Sequence, residues 1–121
     1  MSTFRLPESA HIGYVHVRVR DLDRALAFYL DVLGLKLASG GMHTATLSAT
    51  GRGPGLLVLT EKKDATARPP RATGLYHMAF RVPSRRALAM AIQHLRESKW
   101  LLDGFADHDV SEAVYLSVPE G

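Results

Sequence analysis

Residues Ile12–Leu35, IGYVHVRVRDLDRALAFYLDVLGL, decide the fold. The first part alternates, with Tyr14, His16 and Arg18 on one face and Val15, Val17 and Val19 on the other, the two-residue period of a β-strand. Asp21 follows as a helix N-cap, able to accept a backbone N–H from the first turn. Leu22, Ala25, Leu26, Tyr29 and Leu33 then recur at helical spacing, and Gly34 supplies a left-handed end. A strand and a helix over about 22–33 are therefore predicted from this stretch alone.

Working outward, Leu35–Ala38 begins a strand that reaches the Gly40-Gly41 turn. In His43–Thr50, Ala45, Leu47 and Ala49 alternate with Thr44, Thr46, Ser48 and Thr50, as in a half-buried strand. A glycine-rich turn at 51–55 leads into the strand Leu56–Glu61. The order is βαβββ.

The unit then recurs. Tyr14–Val19 aligns with His77–Val82, and Arg24-Ala25-Leu26-Ala27 with the identical Arg86-Ala87-Leu88-Ala89. Lys62–Gly74, with Pro69-Pro70 and no periodicity, reads as the linker. A second strand over Leu75–Val82, a helix over about 85–98 capped by Ser84, and strands at 99–104 and 112–118 follow. The expectation is one α+β domain over 1–121. It contains a first module at 12–61, a linker at 62–74 and a second module at 75–121 that stops one strand short.

With 121 residues, almost half of them apolar, the chain can bury one ordinary core but not two. It has no run of about 18 apolar residues and no signal-peptide pattern, so a soluble, cytoplasmic protein without membrane contact is expected. The lack of cysteine excludes disulfides, thiol nucleophiles and cysteine-ligated zinc, so any metal must be held by His, carboxylate or Tyr. A net charge of +3 is spread over dispersed basic residues, and no nucleic-acid partner is expected.

Val19, Asp21, Leu22, Ala27, Phe28-Tyr29 and Leu33-Gly34, within the βαβββ repeat, give a pattern that resembles the vicinal oxygen chelate superfamily. That superfamily includes glyoxalase I, bleomycin-resistance proteins and extradiol dioxygenases. GLYHMAFRVPSRRAL (74–88) and DHDVSEAVYLSVPEG (107–121) are similar to the N-terminal domain of catechol 2,3-dioxygenase-like proteins. The resemblance implies two βαβββ modules forming a half-open cup around a divalent metal. It implies further that Tyr14, His16 and Arg18 face the cup and bind substrate. An edge strand with its polar face in solvent would show the same alternation.

The resemblance also implies a His, His, Glu triad on iron(II) or manganese(II), with open positions for a catecholate and oxygen. His77 falls at the second ligand position. Tyr14 stands at the first, where the family has His, and the third ligand, a Glu, is absent from the chain. Val58 occupies the corresponding inward position of the first module, and Glu61 has the opposite parity. His16 could ligate only after a shift of about 7 Å along the strand. Metal is therefore expected to be weakly held or absent. His108 and Tyr115 match family positions near the substrate, for hydrogen bonding to a catecholate and for proton donation; His108 in a solvated loop is the competing reading. His11, His43 and His94 carry no motif and are expected at the surface.

The leading expectation is an extradiol (catechol 2,3-) dioxygenase-like protein, with metal-dependent ring cleavage of a catechol-type substrate and a homodimeric assembly. The alternative is a metal-free, bleomycin-resistance-type protein binding a small aromatic molecule. A part of a longer enzyme is a third possibility.

Overall fold

Leu47, Leu57 and Leu59 are wholly excluded from solvent in a computed structural model of the chain, which describes residues 3–64, 78–107 and 112–116. These leucines belong to a four-stranded sheet of order β1-β4-β3-β2: β1 Val15–Val19, β2 Lys36–Gly40, β3 Thr44–Ser48 and β4 Leu57–Glu61. β1 runs parallel to β4, while β2-β3 and β3-β4 are antiparallel. Alternation holds as predicted. Val19, Leu57, Leu59, Ala45 and Leu47 are buried against the first helix, while His16 and Arg18 are exposed on the other face.

The first helix opens as α1, Leu22–Leu26, whose Asp21 side chain accepts the Arg24 N–H at 3.0 Å. It continues as a π-helical segment, Ala27–Val32, closed by a Leu33 N–H to Phe28 C=O bond. The predicted range is right, but the helix type was not legible from spacing. The wider turn buries the consecutive Phe28 and Tyr29, and Trp100 lies tilted over Phe28 with ring centroids 4.7 Å apart. Gly34 has φ of 81°, the left-handed ending expected of it.

α2, Arg85–Glu97, starts where Ser84 accepts the Ala87 N–H at 3.0 Å. Its end is a Schellman turn: the Trp100 N–H reaches Leu95 C=O at 3.0 Å, with Lys99 in the left-handed region at φ 58°. β5, Leu102–Asp107, and β6, Glu112–Leu116, form an antiparallel pair. Met78, Trp100 and Leu116 pack against the first half's core, so the two halves share apolar contacts.

Two local expectations differ. Met78–Val82, read as part of a strand, form no ladder with a described strand; Met78 packs on the core while Phe80 and Val82 stay exposed. Strand propensity needs a partner edge to be realised. Ser48, placed on a polar face, is buried, because its hydroxyl accepts the Gly51 N–H at 2.9 Å in the turn that follows. β3 ends there, leaving Ala49 exposed. Among the described residues no helix is long and apolar enough to cross a membrane.

Candidate functional site

The open face of the sheet can be read row by row from its register. Arg18 pairs with Thr60, and Thr60 with Thr44, so three residues from β1, β4 and β3 lie abreast. The neighbouring row is His16, Val58 and Thr46. Strands lie about 4.8 Å apart, and the two rows about 7 Å. His16 Nε2 and Thr60 Oγ1 share a hydrogen bond of 2.7 Å that ties the rows together. Thr44 Oγ1 donates to Leu59 C=O at 3.0 Å. Tyr14, just before β1, is 61% exposed. Polar groups on this face remain accessible to a ligand while the valines close the core behind them.

Glu61 lies on the opposite face, in register with Val19. Its Oε2 accepts the Leu22 N–H at 2.8 Å, at the start of α1, and its Oε1 accepts from His43 Nδ1 at 3.0 Å. Lys63 Nζ stands 3.9 Å away. The Leu22 N–H, then the His43 hydrogen bond, hold its carboxyl below the ordinary range. This role of Glu61 as a second acceptor at the helix start escaped sequence reading, because it joins residues 39 positions apart. His94 escaped it likewise: it is exposed, but its Nε2 donates to Asp31 C=O at 2.7 Å and so joins α2 to the first helix.

Of the residues singled out in the sequence, Tyr14, His16 and Arg18 come together beside one strand. His77 and His108 lie outside the described residues. Tyr115 is on β6, 44% exposed and opposite Gly104, with no hydrogen bond to Tyr14, His16 or Arg18. Among the described residues no group of three His, Cys, Asp or Glu side chains could hold a metal ion. Among the described residues, the open face offers one imidazole, one phenol, the Arg18 guanidinium and neutral hydroxyls, with Val58 beside His16. These described residues do not fit a His, His, Glu triad.

Known proteins give this geometry its context. Over 115 residues the chain is 42% identical to a protein of Bacillus subtilis (strain 168) named catechol-2,3-dioxygenase, covering 94% of this chain and 40% of that one. The chain thus spans less than half the length of that relative. A glyoxalase/dioxygenase from Nostoc punctiforme superposes with a TM-score of 0.73 at 17% identity, covering 99% of this chain and 92% of the other. A lactoylglutathione lyase from Agrobacterium tumefaciens gives 0.70 at 22% identity, with coverage of 96% and 90%. These likenesses establish the glyoxalase/dioxygenase fold, and the expected α+β class stands. Residues 11–115 match the family model described as the Glyoxalase/Bleomycin resistance protein/Dioxygenase superfamily, and the chain belongs to that superfamily.

Proposed function

We propose that the chain is an extradiol (catechol 2,3-) dioxygenase-like protein that seats a catechol-type small molecule on the open face of its four-stranded sheet. The observation that carries this reading is the exposed trio Tyr14, His16 and Arg18 along one strand, in a chain 42% identical to a catechol-2,3-dioxygenase over most of its length. An imidazole and a phenol can exchange hydrogen bonds with two adjacent ring hydroxyls, and Val58 offers an apolar contact for the ring. His108 and Tyr115 are proposed as the groups that hold and move protons at the ring oxygens.

Extradiol ring cleavage draws on iron(II) or manganese(II) to bind the diol and oxygen together. Tyr14 at the first ligand position and His77 at the second are the proposed donors, and the described residues do not complete a triad around them. A second reading, metal-free binding of the bleomycin-resistance type, is favoured by Tyr14 standing at the first ligand position in place of His. The protein is proposed to act as a homodimer. Support comes from the exposed apolar side chains Ile12 and Leu56 at the β1-β4 end of the sheet, which a second copy would cover. Light scattering at tens of micromolar should give twice the chain mass; a monomer removes the pairing.

Equilibrium dialysis against iron(II), manganese(II) and zinc, with catechol turnover followed by absorbance, tests the central claim. The unmodified chain should retain metal weakly and open little catechol, while still binding catechol saturably. Tyr14→His should tighten metal retention by about tenfold or more, since an imidazole replaces a phenol at a ligand position. One tightly held ion per chain with rapid turnover would refute the ligand argument. Absence of saturable catechol binding would refute the site.

A further inference from the structure

We infer that the row Arg18, Thr60 and Thr44 seats an anionic substituent, so that the ligand of the open face is a catechol-type ring bearing a carboxylate. This inference rests on the catechol-type reading of the face and adds the substrate class. The register sets the three residues side by side on β1, β4 and β3. Arg18 is exposed and makes no ion pair or hydrogen bond with another described residue. Arg85, by contrast, pairs with Glu112, and Lys63 approaches Glu61. Glu61 is the acid next in sequence to Thr60, yet it faces the other side and serves the Leu22 N–H and His43.

Among the described residues, the guanidinium therefore has a fork of donors with no acceptor and no counter-ion on its face. Beside it, the Thr60 hydroxyl can accept from His16 Nε2 and direct its own hydrogen toward an anion. Thr44 commits its hydrogen to Leu59 C=O and adds only an acceptor, so Arg18 and Thr60 are the anion's donors. The spacing also suits the ligand. Two residues of a strand cover roughly 7 Å, about the span from a ring hydroxyl to a carboxylate on the far side of the same ring. A diol at His16 and Tyr14 would thus place a para or meta carboxylate at Arg18.

Titrations of the full chain with catechol, 3,4-dihydroxybenzoate and benzoate, in low and high salt, test this. The dihydroxybenzoate should bind about tenfold more tightly than catechol. Screening should shrink that ratio in high salt. In Arg18→Gln the ratio should fall to within about twofold of unity, and Arg18→Lys should keep part of it, because charge remains without the planar fork. Circular dichroism confirms that each exposed-site variant is folded. Equal binding of catechol and the acid overturns this inference and leaves the catechol site standing. A preference that survives Arg18→Gln also overturns it. Benzoate binding as tightly as the dihydroxy acid overturns the joint diol and carboxylate recognition. Failure of all three ligands to bind overturns the proposed function and this inference together.

Discussion

Leu57→Ala and Val58→Ala, neighbours on β4, should differ several-fold in their cost, because strand parity places them on opposite faces. Leu57 has no solvent exposure and pairs across the sheet with Leu47, which has none either. Truncation removes three carbons, worth about 0.8 kcal/mol each in transfer, or about 2.4 kcal/mol before any cavity. The space left between Leu47, Leu59 and the first helix raises the cost to about 3–4 kcal/mol. Val58 is only half-buried on the open face and should cost about 1 kcal/mol or less. Urea unfolding of each variant gives the comparison as a shift in midpoint at constant slope. Leu57→Ala combined with Leu47→Ala should cost less than the sum, since the two cavities merge. If Leu57→Ala proves too unstable to measure, Leu57→Val gives the same ordering at about 1 kcal/mol. Equal costs at 57 and 58, or the reverse order, would mean that β4 is read on the wrong parity. The rows of His16 and Arg18 would then not form the open face.

Glu61→Gln should flatten the acid limb of the stability profile. The carboxyl is held below its ordinary value of 4.5 by the Leu22 N–H and then by His43, so its contribution is present above that value and lost as pH falls through the lower folded one. Melting midpoints measured from pH 6 downward check this, and parallel slopes for the two proteins would count against the carboxylate's role. Lys99→Gly should stabilise the fold by about 0.5–1 kcal/mol, because φ of 58° suits glycine better at this helix end. A lower melting temperature in that variant would refute the strain argument.

The parts of the fold that could be read from sequence are those fixed by nearby residues. The β1 alternation, the Asp21 and Ser84 caps and the Gly34 ending each depend on residues within a few positions, and each takes its expected form. Other features depend on distant partners. The Trp100 ring over Phe28 and the His94 bond to Asp31 join the two halves across more than sixty residues, beyond the reach of any periodicity. Met78–Val82 show the converse, a strand-like pattern whose realisation depends on an available edge. The candidate site divides in the same way. The shared face of Tyr14, His16 and Arg18 followed from alternation, whereas the Arg18, Thr60 and Thr44 row required strand order and register.

The π-helical segment at Ala27–Val32 carries a consequence for length variation. A π turn holds one residue more than the α turn it replaces, so the segment amounts to an insertion absorbed without moving either helix end. Loss of one residue within 27–32 can be taken up by reverting to α-helical bonding, with Asp21 and Gly34 left in place. Loss of one residue from Leu22–Leu26 has no such slack. It would turn everything after it by about 100° and carry Phe28 and Tyr29 away from the sheet. The chain therefore has a built-in gauge of tolerance: deletions a few positions apart along one helix should separate into those the fold accommodates and those it does not.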